Sequence, residues 1–147
     1  MTRFFKPFTM ICAIFFSLTQ ISCNSDDDAN DDANAECQNT ICTLEFVVIS
    51  VSVSDQNQNP VALDSFSVTD VENGNNRTIT LTPSEFAAAQ EFGRYPLITD
   101  GILGLNQERQ IQFRGFLNNQ EVISANYTVA TDCCHISVVA GDLQLTL

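Results

Sequence analysis

The chain has 147 residues, and its 18 Asp and Glu side chains outnumber its six Lys and Arg, which gives a formal net charge of −12. This acidity excludes nucleic acid as a main partner, because contact with phosphates requires a basic patch. A single histidine and the absence of tryptophan narrow the available chemistry further. The length corresponds to one domain with terminal extensions.

The first 22 residues are predicted to be a secretion signal. Arg3 and Lys6 precede an apolar stretch at 8–18, and a short polar step then leads to Cys23. A transmembrane helix needs roughly 20 apolar residues. Because the stretch before Cys23 is shorter and includes polar side chains, we favour a cleaved signal over a membrane span.

Ile21 and Ser22 stand directly before Cys23 and resemble the lipobox of bacterial lipoproteins. This resemblance implies that residues 1–22 are removed and that Cys23 becomes a lipidated N-terminus. The two basic residues of the signal would leave with it, so the mature chain would carry four Arg against 18 acids, a formal charge of −14.

An acidic stretch follows the cysteine. Residues 26–36 contain five aspartates and one glutamate, and no apolar side chain larger than Ala. Such a segment cannot bury enough surface to offset the entropy cost of ordering it, so we predict a disordered linker at 23–41. Its first part also resembles the export signal that sends lipoproteins of Bacteroidota to the cell surface; those residues are Ser25, Asp26, Asp27 and Asp28. The resemblance implies a lipid-anchored protein of the outer membrane, displayed at the cell surface, whereas the alternative is a plain spacer.

From residue 43 onward, apolar residues alternate with polar ones, as in half-buried strands. Turn signals interrupt this pattern at intervals of roughly ten residues, which is typical of sandwiches. The predicted strands cover residues 47–54, 61–71, 78–82, 94–99, 110–117, 122–130, 133–139 and 143–147. We therefore predict an all-β domain at 42–147, a single antiparallel β-sandwich of seven to eight strands.

One short helix is predicted between two of the strands. Thr82 is a suitable N-cap, Pro83 stands at the first helical position, and Glu85 completes a capping box. Gly93 should end the helix after about two turns.

Three stretches carry a family resemblance: Asp55…Asn59-Pro60-Val61, Tyr95-Pro96…Asp100-Gly101 and Asp132-Cys133-Cys134-His135. Together they resemble the transthyretin-like, carboxypeptidase-regulatory-like sandwich domains of Bacteroidota surface proteins, over residues 44–147. The resemblance implies a seven-stranded sandwich with a non-catalytic binding or accessory role.

Four cysteines remain after the predicted signal and lipid site: Cys37, Cys42, Cys133 and Cys134. An even number outside the cytoplasm indicates two disulfides, for which three pairings are open. We expect the first pair of cysteines to be bonded to the second pair, with Cys42 to Cys134 as the first candidate. Each bridge would close a loop of about 90 residues and contribute roughly 4 kcal/mol.

The cluster Cys133, Cys134 and His135 allows two further interpretations. One is a copper or zinc site in an envelope lipoprotein, although C-x-x-C spacing is absent from the sequence and thiolates oxidise outside the cytoplasm. The other is a disulfide between the two adjacent cysteines. We expect no metal or other cofactor, and we expect His135 to be a solvated side chain, dispensable for folding, on the same strand face as Ser137.

The sequence contains no nucleophile elbow, phosphate-binding glycine loop or zinc-protease motif. We therefore expect a non-catalytic binding or scaffolding module, with a small hydrolase as a further alternative. An envelope protein or a neutral glycan remains as partner, because an acidic surface repels anionic glycans. Tyr95 and Phe116 are the candidate exposed aromatics for a sugar.

Overall fold

The computed structural model describes residues 37–147. The predicted signal, the lipidation site Cys23 and the export residues Ser25, Asp26, Asp27 and Asp28 lie outside the described residues. The elements are β1 (Val48–Ser54), β2 (Ser65–Asp70), α1 (Pro83–Phe92), β3 (Arg94–Thr99), β4 (Glu108–Leu117), β5 (Gln120–Thr131), β6 (Ile136–Ala140) and β7 (Gln144–Thr146).

The strands form two sheets that pack face to face as a β-sandwich. One sheet has the order β3-β1-β7, and the other has the order β2-β4-β5-β6. The predicted all-β sandwich with one short helix is therefore confirmed. One pairing departs from a purely antiparallel arrangement, because β7 runs parallel to β1, with Ser52 opposite Gln144.

The core lies between the sheets and is built from the alternating residues that the sequence indicated. Val51 and Val53 of β1 are fully or almost fully buried, as are Ile111 and Phe113 of β4. Three aromatic rings meet at its centre, with centroids 5.6 to 6.4 Å apart; they belong to Phe66, Tyr95 and Phe113.

Helix α1 forms as the sequence predicts. The N–H of Thr82 donates to Glu85 Oε2 over 2.7 Å, and the Glu85 N–H donates to the Thr82 hydroxyl, which completes the capping box. Gly93 ends the helix at a φ of 62°. A Cβ at Gly93 would lie 2.5 Å from the carbonyl oxygen of Val53, so only glycine fits where the helix meets β1.

The predicted strand at 78–82 is wrong. No strand forms there, and the nearest isolated bridge in residues 37–147 joins Thr69 to Asn76. The Thr78 side chain takes the place of a neighbouring strand beside β2, because its hydroxyl accepts the Val68 N–H over 2.9 Å.

The loop before this segment is fixed by the fully buried Asp70. Its carboxylate accepts hydrogen bonds from the Glu72 N–H, the Asn73 amide and the Arg77 guanidinium, at 3.1 to 3.3 Å. Burial acts to raise the pKa of Asp70, but these donors outweigh it, and the pKa lies below its ordinary value.

Candidate functional site

The direction of β1 defines two ends of the sandwich. Val48 at its start pairs with Thr99, and Ser52 near its end pairs with Arg94. We call the end at Val48, where residues 37–47 reach the sheet, the amino-terminal pole. The opposite end, beyond Ser54, is the far pole, and the seven residues of β1 separate the two by roughly 20 Å.

Two disulfides close the amino-terminal pole. Cys37 is bonded to Cys133, and Cys42 is bonded to Cys134. The expected linkage of the first cysteine pair to the second, including Cys42 with Cys134, is confirmed. The vicinal bridge is therefore wrong, and the sulfurs of Cys133 and Cys134, which the metal interpretation required, are bonded to those of Cys37 and Cys42. Within residues 37–147, no group of three or more His, Cys, Asp or Glu side chains is placed to hold a metal ion.

The adjacent cysteines do not begin a strand, as the alternation had suggested, because β6 starts only at Ile136. The cause is Asp132, whose Oδ1 accepts the N–H groups of Cys134 and His135 at 2.6 and 2.8 Å. These bonds turn the chain out of the extended path, and they lower the pKa of Asp132, that of His135 most strongly.

His135 is not the solvated side chain that the sequence suggested, since only 26% of it is exposed. Its Nδ1 lies 2.9 Å from Asp100 Oδ2, and its Nε2 lies 2.9 Å from the hydroxyl of Thr43. Asp100 also accepts the N–H groups of Val47 and Ile136, both at 2.8 Å. The Val47 N–H, followed by His135, lowers the pKa of Asp100. The imidazole thus joins the entering segment to the two sheets. The expectation of a solvated side chain on the strand face of Ser137 is wrong, and dispensability for folding stays a prediction.

The series Asp100–His135–Thr43 has the connectivity of a nucleophilic triad, in which a carboxylate orients an imidazole that contacts a hydroxyl. A hollow of about 180 Å³ lies beside it, between Leu103 and Cys134. Thr43 is not among the residues that line this hollow. The arrangement therefore fits a structural connection better than a substrate pocket.

The far pole carries two larger hollows, and Phe92 lines both of them. Its side chain is 62% exposed, although it belongs to the last turn of α1. The first hollow, the helix groove, has a volume of about 340 Å³ and is mainly apolar, with Leu81, Ala88 and Pro96 in its wall.

The second hollow, the polar groove, has a volume of about 380 Å³. Its walls carry no charged side chain; they are Ser52, Val53, Ser54, Gln58, Pro60, Phe92, Gln144 and Thr146. The side-chain amides of Gln58 and Gln144 form no hydrogen bond with any other described residue. Both amides therefore remain available to a ligand.

Gln58 is held in an unusual backbone conformation, with a φ of 66°. Asp55 fixes this turn, because its Oδ1 accepts the N–H groups of Asn57 and Asn59 at 2.8 Å each, while its Oδ2 accepts the Asn59 amide at 3.0 Å. The Asn59 amide is the main cause of the lowered pKa of Asp55. No feature of the sequence indicated the groove.

The aromatic residues chosen from the sequence are not the exposed ones. Tyr95 is fully buried; its hydroxyl donates to the Val61 carbonyl at 2.7 Å and accepts the Leu63 N–H at 2.6 Å. Phe116 is half-buried. Phe92 was missed because its spacing of three from the buried Ala89 matches that of a core-facing residue.

The fold and the two poles define the chain as a small disulfide-linked β-sandwich. Comparison with models of known protein families, with curated proteins and with solved structures finds no match. Within the part that the structure describes, no helix has the length and apolar character needed to cross a membrane.

Proposed function

We propose that this protein is a lipid-anchored, surface-displayed β-sandwich that binds a ligand or partner at its far pole and performs no catalysis. The proposal rests on the difference between the two poles of the domain. The chain enters at one pole, where two disulfides hold it, and the open grooves with the exposed Phe92 lie at the other. A domain attached to a membrane by its N-terminus would be tethered at the pole opposite those grooves, which leaves them open to a ligand.

The amino-terminal pole is suited to a position near lipid. Ile41 and Leu44 are 96% and 106% exposed, beside the disulfides that hold the entering segment. Residues 24–36 would let the domain stand at most about 45 Å from a lipidated Cys23. Several acyl chains on one cysteine are needed for stable anchoring, as in the lipoproteins that the signal resembles.

The anchor is tested by mass spectrometry of the mature N-terminal peptide. The expected peptide begins at Cys23 and carries acyl groups, and Cys23→Ala should move the protein to the soluble fraction. Cys12→Ala is the matched control and should leave both results unchanged. An unmodified Cys23 would refute the anchor without affecting the binding proposal.

Surface display is tested by treating intact cells with protease. Replacement of Asp26, Asp27 and Asp28 by Ala should protect the protein, because the proposed export signal is lost. Replacement of Asp31 and Asp32 by Ala is the control that changes charge but not the positions next to the anchor. Equal cleavage of all three proteins would mean that the acids are only a spacer.

A second candidate function, a small hydrolase, is favoured by the Asp100–His135–Thr43 series. The Thr43 oxygen would attack an ester carbonyl, His135 Nε2 would take the hydroxyl proton and pass it to the leaving alcohol, and water would release the acyl group. Hydrolysis of p-nitrophenyl esters that disappears in Thr43→Val and His135→Gln, but persists in Thr80→Val, would establish this activity. The proposed binding function expects no hydrolysis above background.

A further inference from the structure

We propose that the polar groove binds a neutral carbohydrate chain, with Phe92 as its stacking surface and the amides of Gln58 and Gln144 as its hydrogen-bonding groups. This inference rests on the binding function proposed above and names its ligand class. It requires an exposed aromatic ring, free polar groups beside it, and walls without charge.

The exposure of the Phe92 ring follows from its position at the end of α1. Phe92 occupies the last position of α1, directly before the glycine that turns the chain into β3. Because a Cβ at Gly93 would clash with the Val53 carbonyl, this junction is fixed and holds Phe92 at the rim of both grooves. An aromatic face offers apolar surface to the C–H groups of a sugar ring, while the hydroxyl groups at the ring edge need polar partners.

Those polar partners line the same groove as Phe92. Each glutamine amide supplies two N–H donors and one carbonyl acceptor, which matches neighbouring sugar hydroxyls that both donate and accept. Thr146 and Ser52 add hydroxyl groups to the same walls. Satisfying these groups requires a ligand rich in hydroxyls, since an apolar ligand would bury them without partners.

The absence of charge from the groove selects a neutral ligand. The chain is strongly acidic, yet none of the acidic side chains within residues 37–147 lines the polar groove. A charged ligand would lose solvation there without gaining an ion pair, and the acidic surface around it would repel an anion.

The groove is also preorganised. Gln58 stands in a turn that the carboxylate of Asp55 fixes through three hydrogen bonds. A non-glycine residue at positive φ is uncommon and persists where the surroundings hold it. A backbone that is already fixed at this position loses less freedom on binding, which favours affinity.

An apolar peptide is the competing occupant, and the helix groove beside Leu81 and Pro96 would receive it. Phe92 would contribute to both modes, but the two glutamines line only the polar groove. Substitution of the glutamines therefore separates the two ligand classes.

The test measures binding by calorimetry, with the full mature chain in detergent. The probes are neutral oligosaccharides of α- and β-linked glucose, mannose and galactose, with oligogalacturonate as the anionic comparison. We expect at least one neutral probe to bind and the anionic probe not to bind. Phe92→Ala should weaken binding by about tenfold, and Gln58→Ala and Gln144→Ala by about three- to tenfold each.

Phe46→Ala is the matched control, because Phe46 is similarly exposed, at 69%, but lies at the opposite pole. It should bind as the parent does. Failure of every neutral probe, or equal loss in Phe46→Ala and Phe92→Ala, would overturn the carbohydrate proposal.

A photo-crosslinking residue at position 92, activated on intact cells, separates this failure from failure of the binding function. A crosslinked protein together with negative calorimetry would overturn the carbohydrate ligand and leave the binding function standing. No crosslink and no binding would overturn both.

Discussion

The two disulfides should not contribute independently to stability. Cys37–Cys133 and Cys42–Cys134 span sequence separations of 96 and 92 residues, and the two loops overlap over residues 42–133. Whichever bridge is present first closes the long loop, which is worth about 4.5 kcal/mol in the chain-entropy model. The second then closes only a ring through residues 37–42 and 133–134, about eight residues, worth about 2.5 kcal/mol. The expectation of roughly 4 kcal/mol for each bridge therefore overstates the second.

The test replaces both cysteines of one disulfide by serine, then both cysteines of the other disulfide, and then all four. Either pair alone should lower the free energy of unfolding by about 2.5 kcal/mol, whereas removal of both should lower it by about 7 kcal/mol, more than the two single losses combined. Urea unfolding of a non-lipidated chain that starts at residue 24 measures all four proteins. A double loss equal to the sum of the single losses would refute the reasoning from overlapping loops.

Three further predictions concern single side chains. Tyr95→Phe removes the partner of the buried Leu63 N–H and of the part-buried Val61 carbonyl, and it should cost about 2–3 kcal/mol. Tyr127→Phe loses one bond, to the Asp142 carbonyl, and should cost about 1 kcal/mol in the same unfolding assay. Gly93→Ala should cost about 3 kcal/mol or more, because its Cβ meets backbone, while Gly74→Ala, whose Cβ meets open space, should cost only about 1 kcal/mol for its positive φ; equal losses would contradict the steric argument. Burial, followed by the charge of Asp142, raises the pKa of Tyr127 to about 12 from 10.0. The contribution of the neutral Tyr127 to stability is therefore fully present below pH 10 and is lost as the pH rises toward 12. Tyr127→Phe should flatten that alkaline loss in a pH series of melting temperatures.

Sequence patterns predicted the secondary structure correctly where it depends on residues close together in the chain. The capping box at Thr82 and the glycine at 93 set both ends of α1, and the strand Arg94–Thr99 has the predicted limits. Alternation failed at residues 78–82, because a strand also needs a partner along its whole length, and the Thr78 hydroxyl takes the place of one. The cysteine pairing could be anticipated because both partners of each bridge fall at one end of a sandwich.

The groups at the two poles depend on contacts that no local pattern contains. His135 meets Asp100 and Thr43 across 35 and 92 positions of sequence. The hydrogen bond from the His135 N–H to Asp132 ends the strand alternation from which the exposure of His135 was predicted. The polar groove joins the turn after β1 to the last strand, so neither glutamine could be linked to the other from the sequence.

The bridge from Cys37 to Cys133 also determines how the molecule would carry a mechanical load. A pull on the chain before Cys37 passes through that bond to the connection between β5 and β6, and through the backbone to β1. The two paths belong to different sheets. Separating β1 from its sheet by a pull at its start would therefore require the other sheet to unfold as well. A force applied through a ligand at the far pole would be shared by both sheets.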